Sequence, residues 1–127
     1  MANTIVNNKK ARFDYIIIDE YEAGISLKGW EVKSLRDGKG NIKESYATVK
    51  GSELILIGAH ISPLQNSNVT DESDSTRTRK LLMHRREINK IKSLIKEKGH
   101  TLVPLSMYWK NGHVKLSIGL AKGRKKQ

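Results

Sequence analysis

Two apolar-alternating stretches joined by Asn111-Gly112 constrain this chain more than any other feature. Asn-Gly suits a two-residue hairpin turn, because both residues tolerate a positive φ. After it, Val114, Leu116, Ile118 and Leu120 alternate with His113, Lys115, Ser117 and Gly119, the period of a half-buried strand. Before it, residues 102–109 read as the partner strand. The chain is therefore built around an antiparallel hairpin.

The other segments are shorter. Residues 1–10 read as a flexible arm, 13–18 as a strand, 19–24 as a polar turn and 25–28 as a further short strand. Val32 and Leu35 stand three apart before Gly38, which predicts a short helix over 30–37. Residues 46–50 and 53–60 form a second hairpin across Lys50-Gly51-Ser52, and the continuous apolar run 54–57 suggests a strand buried on both faces. Pro63 ends that element. Residues 65–78 hold almost no apolar side chain and read as a long mobile loop that closes on the cluster Arg77, Arg79 and Lys80. One long helix is expected over 83–98, with Ile88, Ile91, Leu94 and Ile95 as its buried stripe and Gly99 as its stop. The count is about six short strands, one long helix and one or two short ones, without regular βαβ alternation. That predicts a mainly β domain, a small antiparallel OB-type barrel with flanking helices, over residues 1–121. Residues 122–127 read as the start of a basic tail with nothing to bury.

Charge narrows the function. Twenty-four Lys and Arg against 13 Asp and Glu give a net charge of +11 over 127 residues. Such self-repulsion is commonly offset by a polyanion, and nucleic acid is the leading partner. The rival reading is a soluble basic protein without one. No amphipathic helix with aromatic anchors favours a membrane surface, and no apolar run nears the ~20 residues that span a bilayer. The chain has no cysteine, which excludes disulfides and thiolate chemistry and fits a reducing cytoplasm. The polar start, residues 1–8, has no secretory apolar region.

Catalytic signals are weak. His60, His84, His100 and His113 fall on separate predicted elements, and His84 with Glu87 is too little for a zinc site. Asp19, Glu20 and Glu22 read either as a solvated turn or as one carboxylate able to accept hydrogen bonds from base edges or ribose hydroxyls. Gly38-Lys39-Gly40-Asn41 lacks the remainder of a phosphate-loop motif. No enzyme activity, metal or cofactor is expected. The basic positions form four groups: Lys9, Lys10 and Arg12; Lys33 and Arg36 on one face of the short helix; Arg77, Arg79 and Lys80; and Lys122, Arg124, Lys125 and Lys126. Each alone could be a solvated face. Together they suit a folded RNA touched at several backbone points. Tyr21, Trp30, Tyr46, Tyr108 and Trp109 could stack on bases, though most read as core or rim.

Five segments carry a resemblance to a known family. They are residues 8–12 (Asn-Lys-Lys-Ala-Arg), 21–25 (Tyr-Glu-Ala-Gly-Ile), 29–36 (Gly-Trp-Glu-Val-Lys-Ser-Leu-Arg), 76–82 (Thr-Arg-Thr-Arg-Lys-Leu-Leu) and 119–123 (Gly-Leu-Ala-Lys-Gly). In this order they resemble the SsrA-binding protein family, also called SmpB. The resemblance implies a non-catalytic, monomeric, cytoplasmic adaptor with no cofactor. Such an adaptor binds the tRNA-like domain of transfer-messenger RNA around its elbow and delivers it to stalled ribosomes in trans-translation. It implies RNA contacts at Asn8, Glu22 and Leu82, with Ala23 and Gly24 beside them. Basic help is implied from Lys9, Lys10, Arg12, Lys33, Arg36, Arg79 and Lys80. Gly123, with Arg124, Lys125 and Lys126, matches the junction between body and tail. Family members continue with Asp-Lys-Arg and a long basic tail that becomes helical in the ribosomal decoding centre, so a truncated tail is expected here. The rivals are a ribosomal protein with a small barrel, which would need ribosomal RNA, and a small nuclease or RNA-modifying enzyme, which would need a convergent acid/base or metal set.

Overall fold

The computed structural model describes residues 3–65 and 72–123. The elements are β1 (Thr4–Asn7), α1 (Lys9–Asp14), β2 (Tyr15–Ile25), α2 (Gly29–Arg36), β3 (Gly40–Asn41), β4 (Tyr46–Lys50), β5 (Glu53–Ile57), β6 (His60–Ile61), a short 3-10 helix (Glu72–Thr76), β7 (Arg79–Leu82), α3 (Arg85–Lys98), β8 (Thr101–Lys110) and β9 (His113–Gly123). The strands β8, β4, β5, β7, β2 and β9 pair in that order, and β9 pairs back to β8. The sheet is thus a closed six-stranded antiparallel ring, which leaves few unpaired edges. β1 runs beside the second half of β8, and β3 pairs with β6 in a separate ribbon.

The β8–β9 hairpin forms as its sequence demands. Asn111 and Gly112 take φ of 52° and 79°, the left-handed values a type I′ turn requires. Leu116, Ile118 and Leu120 point inward and are buried, joining Leu54 and Leu56 of β5, Leu81 of β7 and Leu102 and Met107 of β8. Ile88 and Ile91 of α3 and Leu35 of α2 complete this core. β5 alternates rather than being buried on both faces: Leu54 and Leu56 are inside, while Ile55 and Ile57 are half-buried. Pro104 has no N–H to give the ladder, and the β8–β9 register shifts between Pro104 and Ser106.

Other sequence expectations need correction. From residue 4 the expected N-terminal arm is instead β1 and the start of α1, because Asn8 caps α1 and Ala11 packs on Val103, Leu105 and Ala121 in a second apolar cluster. Residues 19–24 are not a turn. β2 continues to Ile25 and pairs with β9 across a register shift between Ile17 and Asp19, and its acidic side chains are all exposed to solvent, where polarity costs little. β9 likewise passes Leu120, pairing Lys122 with Ile16 and Gly123 with Tyr15. Backbone pairing needs no apolar side chain, and only Ala121 there is buried. The helix α3 begins at Arg85 because residues 79–82 form a strand. Part of the loop over 65–78 is a 3-10 helix with Ser75 buried, while residues 66–71 lie outside the described ones, as do 124–127.

β7 was hidden by a charge. Its burial alternates, with Arg79 and Leu81 inward and Lys80 and Leu82 outward. Arg79 is fully buried, and a guanidinium there is tolerated only if every donor finds a partner. Its Nε donates to Glu31 Oε2 at 2.7 Å. Nη1 donates to the carbonyls of Ala59 and Arg77 at 2.8 and 3.2 Å, and Nη2 to those of Ser75 and Asp74 at 3.1 and 3.4 Å. Glu31, also fully buried, accepts from Lys28 N–H at 2.7 Å and from Arg77 Nε and Nη2 at 3.0 and 2.5 Å. Burial pushes the Glu31 carboxyl up, but the Arg77, Lys28 and Arg79 donors outweigh it and hold it below the usual carboxylate range. This cluster ties α2, β7, the β5–β6 turn and the 3-10 helix into one joint.

Candidate nucleic-acid interface

The outer face of the barrel gathers the candidate residues through strand register. Along β2, Tyr21, Ala23 and Ile25 turn inward, which leaves Glu22 and Gly24 outward. Gly24 lies opposite Leu82 on β7 and opposite Lys115 on β9, and Glu22 lies opposite Ser117. Leu82 is 51% exposed, unusual for a leucine on a strand. A Cβ added at Gly24 would sit 3.3 Å from Leu82 Cβ, so glycine lets Leu82 stand close over β2. Lys80, the next outward residue on β7, pairs with Glu53 at 3.0 Å.

Glu22 is the polar centre of this patch. Tyr108 donates its hydroxyl to Glu22 Oε2 at 2.5 Å, and Lys110 Nζ lies 3.2 and 3.3 Å from its two oxygens. Hydrogen bonds from Tyr108 and then Lys110 hold the Glu22 carboxyl below the ordinary value, and Lys115 adds to the effect. Burial, with the hydrogen bond to Glu22 and its charge behind it, pushes the Tyr108 hydroxyl up, so it remains a donor. The result is a fixed, exposed carboxylate with acceptor capacity to spare, flanked by cations. Such a group can take hydrogen bonds from exocyclic amines or ribose hydroxyls while its neighbours meet phosphates.

The remaining candidates divide by exposure. Arg12 on α1 reaches Glu20, one outward step from Glu22, at 3.7 Å, and Lys10 meets Glu44 at 3.5 Å; Lys9 is exposed beside them. Lys33 and Arg36 are exposed on α2, and the Arg36 guanidinium lies 5.5 Å over the Trp109 ring, next in chain to Tyr108. Gly123 is exposed at the end of β9, while Arg124, Lys125 and Lys126 fall outside the described residues.

Three expected contact residues have their side chains elsewhere. Asn8 is buried: its side-chain carbonyl caps α1 at Ala11 N–H, and its amide donates to the carbonyls of Pro104 and Ile42. Ala23 is buried in the barrel. Arg79 spends all its donors inside, as described above. These residues shape the surface rather than line it. Conversely, Lys115 and Lys110 stand in the patch though neither is among the expected contacts, and Tyr108, a candidate for base stacking, stands there as the hydrogen-bond donor to Glu22. Their signal was present, because Lys115 lies on the polar half of the alternating strand and Tyr108 precedes the hairpin turn, but alternation does not say which strand lies next door.

Comparison with known proteins agrees over nearly the whole length. The family model described as SmpB protein matches residues 5–127. The SsrA-binding protein of Ruthia magnifica subsp. Calyptogena magnifica is 61% identical over 123 residues, covering 97% of this chain and 74% of that protein. The SsrA-binding protein of Ralstonia nicotianae is 54% identical over 122 residues, 96% of this chain and 82% of its own. Among solved structures, a chain described under "tmRNA-SmpB: a journey to the center of the bacterial ribosome" superposes with a TM-score of 0.77 at 42% identity, covering 98% of this chain and 86% of that one.

Proposed function

Because this chain belongs to the SmpB family, we propose that it binds the tRNA-like domain of transfer-messenger RNA and delivers it to stalled ribosomes. It acts as a cytoplasmic, non-catalytic adaptor. The observation that carries the reading is the outer barrel patch: Glu22, Gly24 and Leu82, distant in sequence, meet on adjacent strands among Tyr108, Lys110, Lys115 and Lys80. An exposed leucine supplies an apolar contact for an unstacked base or ribose, the carboxylate reads hydrogen-bond donors, and the lysines meet phosphates. Lys9, Lys10, Arg12, Lys33 and Arg36 extend the cationic field around it, and the basic run from Gly123 through Lys126 serves the ribosome. Asn8, Ala23 and Arg79 support the surface from beneath.

The test is fluorescence anisotropy with a labelled tRNA-like domain, bulk tRNA and an unrelated hairpin as competitors. The tRNA-like domain should bind most tightly, and Leu82→Ala should weaken it while leaving far-UV circular dichroism unchanged. Equal affinity for all three RNAs would refute the reading.

A further inference from the structure

We infer that the groove between the β4–β5 turn and the start of α3 carries the phosphate backbone of the same RNA, continuing the contact surface past Leu82. The inference rests on the reading above. The groove holds about 650 Å³ and is lined by Lys50, Glu53, Lys80, Leu82, Arg85 and Ile88, among others. Leu82 belongs to both surfaces, so the groove opens where the barrel patch ends.

Its lining holds more cations than carboxylates, Lys50, Lys80 and Arg85 against Glu53. Some exposed cations elsewhere meet carboxylates, as Lys10 does Glu44, Arg12 does Glu20 and Lys110 does Glu22. In the groove Lys80 is matched by Glu53. Lys50, Arg85 and Lys92 form no carboxylate ion pair among the described residues. On α3, Arg85, Lys92 and Lys96 are spaced seven and eleven apart, which at about 100° per residue puts them within roughly 40° of arc. Lys92 donates to the Gly51 carbonyl at 2.9 Å, which fixes that stripe as the one facing the β4–β5 turn. Arg85 opens that stripe in the groove's wall, Lys92 and Lys96 carry the cations on along α3 beyond the groove, and Lys50 and Lys80 line its other side. An extended polyanion with a charge at every repeat fits this line, and the RNA seated over Leu82 is such a chain.

The experiment compares three forms of the full chain against the isolated tRNA-like domain RNA over a range of salt. One carries Lys50→Gln, Arg85→Gln and Lys92→Gln. A second carries Glu22→Gln. A third carries Lys39→Gln, Lys43→Gln and Lys90→Gln, three exposed cations away from the groove, and controls for lost net charge. The groove variant should lose about tenfold or more in affinity near 100 mM salt. The slope of log K against log salt should flatten by about two, since each phosphate contact contributes roughly 0.7–0.9. The control should change the slope by much less. Equal losses in groove variant and control would overturn the inference, leaving only a general field. An unchanged groove variant with a weakened Glu22→Gln would also overturn it while the barrel reading stands. A weakened groove variant with an unaffected Glu22→Gln would keep the groove and remove the barrel patch.

Discussion

Replacing Glu31 by glutamine tests whether the buried joint between α2 and β7 holds the fold. The carboxylate accepts four N–H groups, from Lys28, twice from Arg77, and from Arg79. Both Glu31 and Arg79 are fully buried, so solvent screens neither. In Glu31→Gln one oxygen becomes an NH2 donor facing guanidinium donors, and Arg79 keeps a buried charge with no anion. Breaking a buried pair from one side costs about 3–5 kcal/mol, a large share of the roughly 5–15 kcal/mol that holds a domain together. At about 4 °C per kcal/mol for a chain of this size, the midpoint should fall by about 12–20 °C. Urea and thermal unfolding by circular dichroism at pH 7 measure this directly. The sign with pH also follows. The folded Glu31 carboxyl lies below its unfolded value, so its contribution is complete above the unfolded carboxylate pKa and lost as pH falls through the folded one. The gap between wild type and Glu31→Gln should therefore be widest near neutrality and close in acid. Replacing both buried partners, Glu31→Leu with Arg79→Met, should recover much of the loss, because no fully buried lone charge remains and Arg77, a quarter exposed, can turn to solvent. A Glu31→Gln protein within 1 kcal/mol of wild type at pH 7, or a gap that widens in acid, would refute the argument.

Glu22→Gln should weaken binding to the tRNA-like domain by about 1–3 kcal/mol, the cost of a lost charged hydrogen bond; tighter binding with an intact fold would mean that the carboxylate only repels RNA. Leu82→Ala should leave folding stability within about 0.5 kcal/mol, as surface substitutions do, and a urea midpoint that falls substantially would show Leu82 to be structural. For the unmodified chain, log affinity should fall steeply with log salt, by roughly 0.7–0.9 per phosphate contacted, and titration at two salt concentrations checks it. Ile91, fully buried beneath α3, should cost about 2–5 kcal/mol when cut to alanine; a smaller loss in chemical denaturation would mean that α3 packs loosely on the barrel.

Sequence alone determined the elements whose signals are local. Asn111-Gly112 and the alternation of residues 114–120 dictated the β8–β9 hairpin, because turn chemistry and period-two burial are properties of neighbouring residues. The isoleucines of α3 did the same for a helix, and the excess of lysine and arginine marked a polyanion-binding chain. Motif resemblance located the family, and with it Glu22, Gly24 and Leu82. Tertiary structure decided the rest. β7 was illegible because its inward position is an arginine, acceptable only where Glu31 arrives from α2 with a matching charge. β2 was broken in two by an acidic stretch that is tolerated only because β9 pairs beneath it and its outer face meets water. The resemblance implies contacts at Asn8 and Arg79, yet both side chains are spent on partners inside, and a polar side chain carries no mark of the carbonyls that await it there. Lys115, Lys110 and Tyr108 joined the patch only when β8 and β9 closed the ring, since register between distant strands is set by core packing and not by any one segment.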